Sequence, residues 1–394
     1  MPDRFLVRFL STALAVAICA SCRSTDPFPN HDLQVTPTPV SASQTPNARL
    51  FAELDAIDPA AIDEASPLQI QVLSILGRED LIADVSPDHR AKACAPAPGV
   101  RDADGVLDTI AARAEGAQVV IVNEAHLRAD HRHFVEDVAT RLAPLGFTHY
   151  AAEAFVNAPD ATPLTARHLK EEHGLYTKEP AFAALGRTLR RLGYTLHAYE
   201  QTDAQRDAKE LSGAARINAR EAAQAENLTK ILTGRTGAKI LIHAGHSHAR
   251  ESVDASKAEE VAWMAARLKE RAGVDPLTIN QTRCSGGAER TLLAAHPDDP
   301  GAQDFDIYVD HPLPIFQRSR PTAMYRAGPW LDIPLELMPE EGWAVIEARY
   351  ADEPDDAVPV DRVVVWPRED VAIALAPGAY RLRAVVSDKP AANR

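Results

Sequence analysis

The sequence predicts an α/β protein, a mostly parallel sheet with helices on both faces followed by a small antiparallel β module. Between residues 118 and 243, four β-type runs alternate with stretches of helical apolar spacing. Beyond about residue 300 the helical spacing stops, and short β-type runs separated by Pro and Gly take over.

The N-terminus comes first in that scheme. Arg4 and Arg8 precede a short apolar run at 9–18, small residues follow at Ala20 and Ser21, and then Cys22. This is a secretory signal pattern, with a run too short to span a bilayer as a mature helix. Cys19-Ala20-Ser21-Cys22 resembles a lipobox, with Cys19 where Leu is usual. Cys22 is therefore the candidate for lipidation, and a plain cut near Ser21 is the alternative. Residues 1–22 are expected to be a lipoprotein signal. Residues 23–47, rich in Pro, Ser and Thr, are expected to be a disordered tether. The α/β domain is expected over 48–300 and the β module over 301–394. The expected location is the cell envelope, anchored to the membrane by lipid and facing the periplasm, the outer membrane before the inner.

Residues 50–90 read as short helices broken by Pro59, Pro67 and Pro87. Residues 106–114 read as a helix. The run 118–122 (QVVIV) is β-branched and short enough for a buried strand. Residues 130–142 carry Phe134, Val138 and Leu142 at helical spacing, and 147–152 is a second strand. Helix 181–192 and strand 194–199 follow, then a long polar helical region over 203–233. Strand 238–243 (AKILIH), helix 261–271 and a fifth strand at 275–280 complete the predicted domain. The later β-type runs are 306–309, 344–350, 362–366 and 380–386.

Composition limits the partners. The chain has 394 residues and a formal charge of −14. That charge argues against a nucleic acid, whose phosphates need a basic surface. Cys94 and Cys284 remain once Cys19 and Cys22 are assigned to the signal. In an oxidising periplasm they can pair, or remain two buried thiols. No CxxC is present, so a thiolate zinc site is not expected.

The chemistry gathers at strand ends, where open α/β sheets bind ligands. Strand one ends in Asn123-Glu124-Ala125-His126, strand two in Glu153, strand three in Glu200, and strand four in Gly245-His246-Ser247-His248. Singly, each glutamate or histidine reads as a solvated or structural group. Four such endings in one domain point to a shared pocket. His131 follows His126 by five residues near a helix start, whose N-terminus would favour anions. His133 is expected on another face. Imidazoles beside carboxylates can bind a transition metal or act as acid and base without one.

NEAHLRADHRHF followed by AAEAF resembles the ChaN-like haem-uptake lipoproteins, whose pattern is GExH, four residues, then His, with a later Glu at a strand end. AGHSHARE resembles that family's second GxxH element. The pattern is also similar to the wider superfamily of erythromycin esterase-like hydrolases and TraB and TIKI metal-dependent proteases. The resemblance covers about residues 105–285. Asn123 stands where the family has glycine, which would leave the backbone less free to approach a ligand. Leu127 and Arg128 replace the usual Asp-Asn.

The resemblance implies a hydrolase acting on an ester or amide, in a small molecule or a peptide. His126 with Glu124 or Glu153 would activate water, and His248 would be the complementary acid or a metal ligand. Burial is expected to raise a Glu pKa into a useful range. If a divalent metal takes part, His126, His131, Glu153, Glu200 and His248 are its candidate ligands. The alternative is non-enzymatic haem or iron capture, with Tyr176, Tyr194 and Tyr199 as candidate haem ligands. Glu172, His173 and residues 176–180 form an insertion that reads as a candidate lid. Arg206, Arg216 and Arg220 are candidates to meet an anionic ligand, or a solvated helix face. No GxSxG is present, so a serine nucleophile is not expected.

Overall fold

The structure is a computed structural model that describes residues 31–388, apart from 93, 95–102, 207–210, 236, 255–259, 289 and 294–303. The signal pattern, Cys22 and residues 23–30 lie outside the described residues. No described helix is long and apolar enough to cross a membrane.

The described chain begins with strand β1 (His31–Ser41) and three helices, α1 (Ala48–Leu54), α2 (Pro67–Ile75) and α3 (Glu79–Ile82). Next comes α4 (Ala103–Ala114), then the alternation the sequence predicts. Its elements are β2 (Val119–Glu124), α5 (Ala129–Leu142), β3 (Phe147–Ala152), α6 (Pro180–Arg191), β4 (Thr195–Ala198), α7 (Gly213–Thr233), β5 (Lys239–Gly245), α8 (Met264–Ala272) and β6 (Leu277–Asn280). Two more strands, β7 (Thr291–Leu293) and β8 (Ile307–Asp310), extend the same sheet. A separate smaller sheet contains β9 (Ala344–Tyr350), β10 (Asp361–Val365) and β11 (Gly378–Val386).

The main sheet runs β4-β3-β5-β2-β6-β8-β7. Six of its strands are parallel, and β7 adds antiparallel at the β8 edge. Every residue of β2 is buried, as a central strand covered on both faces requires. Its side chains alternate. Val120 and Val122 pack in the core formed with α4, α5 and α6, whereas Val119 and Ile121 pack in the core formed with α7 and α8.

Three sequence expectations change. The tether does not extend to residue 47, because β1 pairs in parallel with β11, Leu33 opposite Tyr380 and Val35 opposite Leu382. Residues at alternate positions of β1 are half-buried, so its sparse apolar side chains suffice for an edge strand. Pro37 and Pro39 fall where the register shifts between Thr36 and Val40, a place where the missing N–H costs little. The boundary near residue 300 also moves, since β8 is a parallel strand of the main sheet beside β6. Finally, the small sheet is antiparallel only through β11, β9 and β10. It joins the main domain through a buried ion cluster of Glu171, Glu347, Arg349 and Arg362.

Cys94 and Cys284 form a disulfide with Cα atoms 5.8 Å apart.

Candidate functional site

The C-terminal ends of β2 and β5 lie side by side, with Glu124 opposite Gly245. Strand β2 thus delivers Glu124 and then His126 to the turn where β5 becomes Gly245-His246-Ser247-His248. Nδ1 of His126 lies 2.8 Å from Glu124 Oε1. A Cβ at Gly245 would fall 2.7 Å from His126 Nε2 and 3.3 Å from Glu153 Oε2. Only glycine leaves that space open, so the imidazole and the second carboxylate flank it together.

Glu153 directly follows β3. Its Oε2 accepts the Gly245 backbone N–H at 2.7 Å, and its Oε1 accepts from Arg220 on α7. His248 Nε2 lies 3.4 Å from Glu153 Oε1 and 3.2 Å from Arg220 Nη1. When neutral it accepts from the guanidinium, and when protonated it donates to the carboxylate. Its Nδ1 lies 2.8 Å from the Glu221 carboxylate, which also accepts the Met264 backbone N–H. Glu200, just beyond β4, accepts from Arg220 Nε at 3.0 Å and from Gln224 at 2.9 Å. Glu124, His126, Glu153 and His248 therefore cluster at one edge of the sheet, and Glu200 borders the cluster through Arg220.

His131 stands apart. Its Nδ1 accepts the Ala125 backbone N–H at 3.1 Å, and its ring packs beside His311 in the interior. Burial pushes its pKa well below the ordinary imidazole value, so it is neutral. Its role is to pin the loop between β2 and α5. The α5 N-terminus does not serve the pocket either, because Glu79 accepts the Ala129 N–H at 3.0 Å. His133 is buried near Glu136, away from the site.

Asn123 acts as a clamp where the resemblance leads one to expect glycine. Its side-chain amide donates to the His246 carbonyl at 2.7 Å and to Thr282, and its carbonyl accepts the Gln281 N–H. His246 has a positive φ of 27°, uncommon for a residue other than glycine, and the clamp on its carbonyl holds it there.

Both site carboxylates are depressed, contrary to the expectation of a raised glutamate. Burial pushes Glu124 up, but Arg132, His243 and the His126 hydrogen bond outweigh it and hold the group well below the usual range. Burial likewise opposes ionisation of Glu153, yet His248, Arg220, His126 and the Gly245 N–H bring it down to about 2. For His248 burial lowers the pKa, but Glu153 and Glu221 raise it above the ordinary imidazole value. The site thus sets ionised carboxylates against imidazoles.

Two supporting residues, Arg132 and His243, carry no signal in the sequence. Arg132 is fully buried and grips both Glu124 oxygens at 3.0 and 3.1 Å, while its Nη1 reaches Glu179 at 3.1 Å. His243 Nε2 lies 3.0 Å from Glu124 Oε2, and its Nδ1 lies 2.7 Å from the Tyr150 hydroxyl. Tyr176, from the insertion after β3, stacks on His126 with centroids 4.2 Å apart and planes 14° from parallel. Arg206, Arg216 and Arg220 line a cavity of about 670 Å³ beside Glu200. Arg220 turns inward to the carboxylates, and Arg206 pairs with Asp203 at the surface.

The donor set does not suit a metal. Arginines already occupy Glu124, Glu153 and Glu200, and His248 is engaged at both nitrogens. A divalent cation would have to displace two guanidinium groups. Among the described residues no three His, Cys, Asp or Glu side chains are grouped to hold a metal ion. As for haem, Tyr194 and Tyr199 donate to the Ala139 and His243 carbonyls inside the core. Of the candidate tyrosine ligands, Tyr176 is the one beside the pocket.

No family model and no curated protein matches the chain. Solved structures share distant likeness. A structure of bacterial protein toxins matches at 16% identity and TM-score 0.33, over 44% of this chain and 36% of that one. ChaN of Campylobacter jejuni with cofacial haem matches at 10% identity and TM-score 0.31, over 51% of this chain and 90% of that one. An erythromycin esterase in its open conformation matches at 13% identity and TM-score 0.16, over 92% and 84%. The chain thus spans little more than a third of the toxin chain. Likeness at this level carries no weight for activity, and the site is read from its own geometry.

Proposed function

We propose that this chain is a hydrolase that activates water for attack on an ester or amide, in a small molecule or peptide, without a resident metal. One observation supports this above all others. Two imidazole–carboxylate pairs, His126–Glu124 and His248–Glu221, converge on one ionised glutamate, Glu153.

The two pairs suit opposite tasks. Glu124 fixes the His126 tautomer by taking its Nδ1–H, which leaves Nε2 as the acceptor for a water proton. His248, with its raised pKa, carries the proton a leaving group needs. Glu153 faces both rings and offsets the positive charge that His126 acquires. Export and lipid anchoring at Cys22 belong to the same proposal, on the strength of residues 1–22. The Cys94–Cys284 disulfide supports an oxidising compartment.

The test is turnover of an ester and amide panel by the full chain, with and without chelator. The expected result is hydrolysis that ignores chelator and disappears in His126→Ala. Absence of turnover, or turnover that survives His126→Ala, overturns the proposal. A Soret band on haem addition without turnover puts haem or iron capture in its place.

A further inference from the structure

Acyl hydrolysis needs a donor for the oxygen that becomes negative when water adds. The guanidinium groups and the backbone N–H at the site are already engaged. Arg132 and Arg220 are held by carboxylates, and the Gly245 N–H is taken by Glu153. Tyr176 is different. Its ring lies flat on His126, and among the described residues no group pairs with its hydroxyl. The side chain is half-buried, and the nearby Glu153 and Glu124 add to burial in keeping the phenol protonated.

The segment that carries Tyr176 is tied down on three sides. Glu171 sits in the buried cluster with Arg349 and Arg362 of the small sheet, and its N–H donates to the Asp356 carbonyl at 3.0 Å. Arg362 also donates to the Lys178 carbonyl at 3.2 Å, and Lys178 Nζ reaches Asn47 at 2.7 Å. A Cβ at Gly174 would fall 2.0 Å from the Ala154 carbonyl oxygen, so the segment lies tight against the strand end that bears Glu153. The ion cluster that joins the small sheet to the main domain thus also fixes this segment beside the site.

We infer that Tyr176 is a further catalytic residue, whose hydroxyl donates a hydrogen bond to the carbonyl oxygen under attack, and that Glu171 and Arg362 position it. This inference rests on the hydrolase reading. In the addition step water oxygen bonds to the carbonyl carbon, and its proton goes to His126 Nε2. The carbonyl π pair moves to oxygen, where the Tyr176 O–H meets it. When the intermediate collapses that pair returns, the C–O or C–N bond breaks, and the leaving group takes the His248 proton. Solvent then removes the proton from His126 and returns one to His248.

The test compares Tyr176→Phe with the wild-type full chain, since phenylalanine keeps the stacking and the fold. With the best ester of the panel, kcat is expected to fall about 100-fold at little change in KM. Affinity for a phosphonate analogue of that ester is expected to weaken by a similar factor, with product affinity unchanged. If Tyr176→Phe keeps kcat and phosphonate affinity within twofold while His126→Ala is inactive, Tyr176 only packs and this inference fails alone. If the wild-type chain neither hydrolyses esters nor binds the phosphonate, the hydrolase reading fails and takes the inference with it.

Discussion

Glu221 is fully buried, and its carboxylate lies 2.8 Å from Nδ1 of His248. The pair matters because the acid role of His248 depends on keeping a proton. Its pKa stands above the ordinary imidazole value in the fold, so the protonated form supports stability at low pH. That support fades as pH rises through the raised value. Glu221→Gln removes a main cause of the shift. The high-pH limb of kcat/KM is expected to move to lower pH, and a pH–rate profile checks it. An unchanged limb would remove His248 from the acid role.

Glu153 is held at about 2, below the usual carboxyl value. A depressed carboxylate stabilises the fold above its unfolded pKa and ceases to do so as pH falls toward the folded value. The melting temperature of the wild type should therefore fall between about pH 5 and pH 2. Glu153→Gln should start lower by about 2 kcal/mol, through lost charged hydrogen bonds, and show a flatter acid slope. Thermal melts across that range give both readings.

Arg132 is the counter-charge to two buried glutamates, Glu124 and Glu179. Arg132→Met keeps the aliphatic stem but removes the guanidinium and strands both anions. The expected cost is about 3–5 kcal/mol, seen as a lower denaturant midpoint, together with loss of turnover. A cost under about 1 kcal/mol, the range of exposed pairs, would contradict the buried arrangement.

Deleting residues 31–41 takes β1 off the small sheet and exposes the edge of β11. The shortened chain should melt roughly 5 °C lower or more and aggregate at its new edge. If those residues were only a tether, melting and solubility would match the full chain.

The main sheet was legible because its signals are local. A run such as Val119–Val122 needs no partner to read as a buried strand, and Glu124, Glu153 and His248 stand at strand ends whose convergence follows from topology. The counter-charges were not legible. Arg132 meets Glu124 across a turn, Arg220, read as a candidate for an anionic ligand, instead meets Glu153 from 67 positions away, and Glu221 looks like any polar residue on a long helix. Without them a buried glutamate is expected to have a raised pKa, and with them it has a depressed one. Strand β1 was missed for another reason. Its Pro and Thr content resembles that of a tether, and only Leu33 and Val35 at alternate positions carried the strand period.

The Cys94–Cys284 bond has a consequence for handling the protein. It closes a covalent ring that contains β2, β3, β4, β5 and β6, its two cysteines 190 positions apart. A protease that cuts once anywhere inside that ring releases nothing. The nicked molecule migrates at full mass on a non-reducing gel and separates into two pieces only after a thiol is added.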